Sequence, residues 1–293
     1  MVQKIRKLVI PVAGIGTRFL PATKASPKEM LPIVDKPIIQ YLVEGAVASG
    51  IEEIILVTGH TKRAIEDHFD RNFELEYILK QRGKEDLLKE VKKLSKMAKF
   101  IFVRQGPPKG NGHAVLCAEP VVDDESFAAM YGDDVIYSEP PILKQLMDVY
   151  EEFGHSVLNC IRTKKEEDAN KFGFVKGPVV RDNIYRVEEV IEKPGPDKVP
   201  SDIASIGAFI LTPRIFSILK DLEPGKGGEI WLPDAINKLA HEEPVYACVV
   251  ENSKYYNCGD KLEYIKANID FALAREEFRD GLIKHIRDLE ILK

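Results

Sequence analysis

The chain has 293 residues, 44% hydrophobic and 30% charged, and its 42 Lys and Arg against 47 Asp and Glu leave a net charge of −5. This length and composition suit one large α/β domain, or one domain with an appendage, with enough apolar side chain for a sizeable core. The acidic balance argues against general affinity for nucleic acid, and no apolar run reaches the ~18 residues of a membrane span.

The N-terminus is charged and has neither an uninterrupted apolar stretch nor a small-residue cleavage site, so the cytoplasm is the expected compartment. Residues 7–13, 54–58, 100–103 and 127–131 read as buried strands. Between the first two, Ile38, Leu42 and Ala46 repeat at helical spacing, and Gly50 is a stop signal. Residues 76–98 are highly charged, with Leu87, Leu88, Val91 and Leu94 spaced as one stripe of a surface helix. Ile142, Leu146, Val149 and Phe153 mark another helix face. Residues 173–193 and 205–211 read as additional strands, joined by a loop rich in proline, and Leu262, Ile265, Ile269 and Leu273 lie on one side of a closing helix. Strands alternating with helices predict βαβ crossovers and a mostly parallel sheet, whose ligands gather at the C-terminal strand ends. Cys117, Cys160, Cys248 and Cys258 are far apart without CxxC spacing, as expected of reduced thiols.

The first strand runs into Ala13-Gly14-Ile15-Gly16, followed by Arg18, Lys24 and Lys28 on a segment stiffened by Pro21, Pro27 and Pro32. No Asp or Glu precedes Glu29, whereas Lys4, Arg6, Lys7, Arg18, Lys24 and Lys28 all do. Glycines let backbone N–H groups approach an anion, and the cations neutralise it, so the segment reads as a site for a nucleoside triphosphate. It is neither a Walker A sequence nor a dinucleotide fingerprint, because no GxxxxGK[ST] occurs and Phe19 occupies the third glycine position.

The whole stretch from Gly14 through Thr17-Arg18-Phe19-Leu20-Pro21 to Pro27-Lys28-Glu29-Met30-Leu31-Pro32 resembles the signature of sugar nucleotidyltransferases, in detail that of the bacterial UTP–glucose-1-phosphate uridylyltransferases. Further segments match in order: Val34-Asp35-Lys36-Pro37, Arg104-Gln105-Gly106 with Gly110-Asn111-Gly112-His113, Gly132-Asp133-Asp134, and Phe172-Gly173 with Glu192-Lys193-Pro194. The resemblance covers roughly residues 5–275. It implies a three-layer Rossmann-like α/β sandwich of the nucleotide-diphospho-sugar transferase type, with a mixed, mostly parallel central sheet. It also implies a homodimer or homotetramer. The expected organisation is one nucleotidyltransferase domain over 1–293, with an inserted helical segment at about 76–98 and a C-terminal helical region at about 260–293.

The resemblance also distributes roles. Arg18, Lys28, Asp133 and Lys193 are the expected catalytic residues, and Ala13, Gly14, Gly16, Glu29, Gln105 and Gly110 the nucleotide-binding ones. Gly173, Glu192 and Lys193 form the sugar end, where a carboxylate accepts from two hydroxyls and an ammonium holds the 1-phosphate. Asp133 at a strand exit is a natural Mg²⁺ ligand, with Asp134 a turn residue. The family's second metal carboxylate comes from an Asp-x-Gly element, but here Tyr256-Asn257-Cys258-Gly259 carries Asn, so Mg²⁺ is expected near Asn257 with reduced affinity. Gly207-Ala208-Phe209 and Trp231-Leu232-Pro233-Asp234 also depart from the family pattern, near the sugar end. His113 is expected to be structural or adjacent to the nucleotide. No general base is needed, because a phosphate monoester has its second pKa near ~6.

The implied reaction is Mg²⁺-assisted in-line attack of glucose 1-phosphate on the α-phosphorus of UTP, giving UDP-glucose and pyrophosphate. One alternative is the same chemistry with dTTP or another hexose phosphate. Another is a non-catalytic subunit that binds nucleotide sugars, which the Asn257 change favours and the retained Arg18, Lys28, Asp133 and Lys193 oppose. A glycosyltransferase lacks support, since no Asp-x-Asp follows residues 127–131.

Overall fold

The structure, a computed structural model, describes residues 2–289. Its core strands are β1 (Lys7–Pro11), β4 (Glu53–Thr58), β5 (Lys99–Arg104), β6 (Phe127–Met130), β8 (Ser156–Arg162), β13 (Ile203–Leu211) and β14 (Val245–Val249). Between the first two lie the short strands β2 (Pro32–Ile33) and β3 (Lys36–Pro37), which pair as a small ribbon. Strand β7 (Asp134–Ser138) pairs antiparallel with β15 (Ser253–Asn257). Residues 173–193 form four short strands, β9 (Gly173–Lys176), β10 (Val179–Arg181), β11 (Ile184–Arg186) and β12 (Glu189–Glu192).

The main sheet runs β10-β11-β14-β8-β13-β6-β1-β4-β5, with β9 joining β13 and β12 joining β9. Strands β1, β4, β5 and β6 are mutually parallel, as are β8 and β14. Strand β13 runs against both groups and links them, so most strands share one direction and the sheet is mixed. Helices cover both faces, and the sequence pattern shows why. Leu8 and Ile10 of β1 pack into one core cluster, together with Ile54 and Leu56 of β4. Val9, Ile55 and Val57, pointing the other way, pack into the second cluster. Continuous apolar runs are what a parallel sheet buried on both faces requires. The result is the expected three-layer α/β arrangement.

Three details differ from the sequence reading. Strand β5 is the sheet edge, so Phe102 is exposed instead of buried. The charged segment forms two helices, Phe73–Gln81 and Glu85–Leu94, because Gly83 breaks the chain at φ 64°. In the second of them only Leu88 is buried, while Leu87 is exposed. The closing helix Lys261–Ala274 turns Leu262, Ile265 and Ile269 outward and buries the opposite side. Inward-facing Tyr264 meets Phe19 edge-on at 5.4 Å and Phe271 meets Tyr41 at 4.8 Å. These rings, with Ala267 between them, outcompete the aliphatic stripe for the core. A last helix follows at Glu276–Asp288, and the end of the expected C-terminal region, 290–293, lies outside the described residues.

Candidate active site

One cleft of about 1090 Å³ opens along the strand-exit edge of the sheet. All thirteen site residues expected from the sequence line it, although they come from six separated stretches of chain. The chain leaves β1 through Ala13–Gly16, with Gly16 at φ 73° and its carbonyl accepting from the Thr23 hydroxyl at 2.7 Å. A Cβ on residue 16 would meet Lys28 Cβ at 3.4 Å, so this glycine lets the two segments close up. Gly14 has no heavy atom within 4 Å of a would-be Cβ, which leaves its backbone open to the cleft.

The short 3₁₀ turn Lys28–Met30 splits two neighbouring side chains. Lys28 points into the cleft, and its Nζ donates to Asp133 Oδ2 at 2.6 Å. Burial opposes the ammonium, but Asp133 and Glu29 together leave its pKa raised. Glu29 turns inward and pairs with Lys62 at 2.8 Å, the two side chains being 1% and 2% exposed. Burial raises the pKa of Glu29 against the pull of Lys62 and Lys28. Its carboxylate therefore braces the segment that carries Lys28.

Asp133 and Asp134 also part company. Asp134 is not a turn residue: it heads β7 opposite Asn257, with its Oδ1 accepting from Tyr255 Oη at 2.9 Å. Burial and the Asp133 charge push its carboxyl up to about 7. A Cβ on Gly207 would overlap its Oδ2, so the glycine where β13 shifts register makes room for this buried acid. Asp133 instead faces the cleft. A Cβ on Gly259 would overlap Asp133 Oδ2 and stand 3.0 Å from Asn257 Oδ1, so both oxygens border the small space this glycine leaves. Asn257 Oδ1 accepts from Gly259 N at 3.0 Å, and Arg18 reaches the Gly259 carbonyl at 3.4 Å. Among the described residues no group of three or more His, Cys, Asp or Glu is placed to hold a metal ion. A carboxylate and an amide oxygen beside one cradle still suit magnesium, which takes few protein ligands and keeps its waters.

At one end of the cleft, Gln105 follows β5 and is 5% exposed, donating from Nε2 to Gly110 O at 3.1 Å. Gly110 has φ 97°, and a Cβ there would sit 2.5 Å from Ile230 O. At the other end Gly173 and Glu192 are register partners, and a Cβ at 173 would press on Glu192 Oε2 at 2.9 Å. Lys193, at φ 48°, places its Nζ 3.0 Å from Glu192 Oε1 and 5.4 Å above the Trp231 ring.

A family model described as nucleotidyl transferase matches residues 7–272. The chain belongs to the nucleotidyl transferase family. A UTP–glucose-1-phosphate uridylyltransferase of Bacillus subtilis is 48% identical over 289 residues, covering 99% of this chain and 97% of that protein. One of Staphylococcus epidermidis is 46% identical, covering 99% of this chain and 100% of that protein. The chain superposes on the crystal structure of a UDP-glucose pyrophosphorylase complexed with UDP-glucose with TM-score 0.85 and 39% identity, covering 92% of this chain and 100% of that one. A UTP-bound structure from Acinetobacter baumannii gives TM-score 0.90 at 36% identity, covering 98% of this chain and 100% of that one.

Within this nucleotidyl transferase, sequence reasoning missed Lys62, Tyr255, Gly207 and Gly259. Lys62 follows the exit of β4, a position that could have flagged it, but a lysine's usual place is in solvent. The cleft also takes in Arg162 and Lys165, for which no motif gave a signal.

Proposed function

We propose that the chain transfers the uridylyl group of UTP to glucose 1-phosphate, releasing pyrophosphate and forming UDP-glucose. The observation that carries this reading is the charge layout of the cleft at the strand-exit edge. Arg18 and Lys28 stand by the glycine turn, Lys193 stands at the far side, and Asp133 lies with Lys28. The relatives of that name, near-complete in coverage, support the choice of substrates.

In this reading the triphosphate lies against the backbone of Ala13, Gly14 and Gly16, with Arg18 and Lys28 gaining strength as charge builds on the leaving pyrophosphate. Glu192 and the open space at Gly173 hold the hexose, and Lys193 aligns the 1-phosphate for attack. The attacking oxygen is already ionised near neutral pH, so alignment and charge neutralisation suffice. Asp133 and Asn257 are the residues to hold Mg²⁺, which supplies further neutralisation of phosphate charge when bound. Glu29 acts from behind through Lys28.

We further read the chain as one catalytic unit working in the cytoplasm, which its four unpaired thiols suit. The outward stripe Leu262, Ile265 and Ile269 supports a homo-oligomer in which a second copy covers it. Pyrophosphate release across nucleoside triphosphates and sugar phosphates tests the activity. UTP with glucose 1-phosphate should give the largest kcat/KM, and a better pair or no Mg²⁺-dependent turnover would overturn the reading.

A further inference from the structure

The end of the cleft at Gln105 holds a polar cluster in which His113 and Cys117 have no part in the proposed reaction. Gln105 Nε2 lies 3.1 Å from Gly110 O and 3.0 Å from His113 Nδ1. A carbonyl oxygen only accepts, so the amide must turn its nitrogen, not its oxygen, toward Gly110. The second amide hydrogen then points at His113 Nδ1, which has to be an unprotonated acceptor. The Cys117 thiol lies 3.8 Å from the same ring nitrogen, a second donor that a proton on Nδ1 would oppose. Burial and Lys109 both favour the neutral ring, in line with this geometry. With both amide hydrogens engaged, only Oε1 of Gln105 is left. Among the described residues nothing donates to it, it is not sealed from solvent, and Gln105 lines the cleft.

We propose that His113 is a positioning residue that locks the Gln105 carboxamide with its oxygen toward the cleft, and thereby selects a pyrimidine whose ring N3 carries a hydrogen. Uracil offers N3–H, whereas cytosine offers a lone pair at N3 and leaves Oε1 opposed by an acceptor. This deepens the proposed function and rests on its choice of UTP, adding that the uracil base lies at Gln105, one of the nucleotide-binding residues expected from the sequence. His113 touches no reacting atom, so its effect falls on nucleotide recognition.

The experiment compares wild type, His113→Leu, which removes the acceptor, and His113→Asn, whose Oδ1 replaces Nδ1. Calorimetry measures UTP and CTP binding, and steady-state kinetics separate KM for UTP from kcat. His113→Leu should weaken UTP binding about fivefold to tenfold, the worth of one neutral hydrogen bond. It should raise KM in proportion, spare kcat and narrow the UTP-over-CTP preference, while His113→Asn restores most of that preference. Unchanged UTP-over-CTP selectivity in a folded His113→Leu protein overturns the inference. So does a loss confined to kcat, or a His113→Asn protein no better than His113→Leu. A wild type that binds UTP selectively without turnover would sink the proposed reaction alone, and the binding comparison would still decide the role of His113.

Discussion

Lys28 Nζ rests 2.6 Å from Asp133 Oδ2, joining positions 105 residues apart across the mouth of the cleft. Both side chains are largely shielded, 22% and 16% exposed, so this contact is more than a surface ion pair. It ties the proline-stiffened segment after β1 to the exit of β6, and it holds an ammonium where phosphate charge would arrive. Replacing Lys28 with Met removes that charge and should lower kcat by about 10²–10³-fold, the usual effect of deleting one preorganised charge-stabilising group. Pyrophosphate release at saturating substrates measures it. A kcat within threefold of wild type would remove Lys28 from the catalytic set.

Asn257 offers a second test at the same place. Its Oδ1 accepts from Gly259 N, a bond that a carboxylate can also accept, so Asn257→Asp should fold normally. The added charge beside Asp133 should lower the Mg²⁺ concentration needed for half-maximal activity by about tenfold, because cation affinity follows ligand charge. Titrating Mg²⁺ at fixed substrates reads this directly, and an unchanged midpoint would place Asn257 outside the metal's reach.

Most of this site is legible in the sequence because its residues sit where strands end, and strand ends are marked by apolar runs stopping at Gly14, Gln105 and Asp133. What is not legible depends on long-range packing. Lys62 reads as a solvated charge until Glu29 is seen folding inward to meet it. The helix Lys261–Ala274 is apolar on two sides, and only the positions of Phe19 and Tyr41 decide that Tyr264 and Phe271 face the core. Gly207 and Gly259 look like turn residues, yet each is required by a carboxylate from a distant strand exit. Spacing alone carries no information about such close approaches.

The Glu29–Lys62 pair should show the asymmetry of buried charges. Glu29→Gln strands the Lys62 ammonium, and breaking a buried pair costs about 3–5 kcal/mol. Denaturant unfolding should show that loss together with reduced activity, since the variant also loosens the turn bearing Lys28. The double variant Glu29→Met with Lys62→Met should recover most of the stability, because two apolar side chains replace the pair without an orphaned charge. Equal losses in the single and double variants would mean that the pair's charges are not the source of the effect.

Asp134 makes the pH dependence of stability testable. Its carboxyl is pushed up to about 7 by burial and by the neighbouring Asp133 charge, partly opposed by the Tyr255 hydroxyl. An unfolded aspartate titrates near ~3.9, so between about pH 4 and about pH 7 the folded chain keeps a proton that the unfolded chain has released. The stability contributed by Asp134 is therefore complete below about pH 4, declines as the pH rises through that window and levels off above about 7. Other carboxylates bend the total curve the opposite way, Asp35 held low by Arg275 and Asp270 held low by Lys254. The comparison must therefore be with Asp134→Asn, which cannot titrate but still accepts from Tyr255. The melting-temperature advantage of wild type over Asp134→Asn should be largest near pH 4.5 and shrink steadily toward pH 7.5. A gap that stays constant, or widens with pH, would show that Asp134 is already ionised in the folded chain at low pH. Asp133 and Asp134 would then have to share the Lys28 ammonium as two charges.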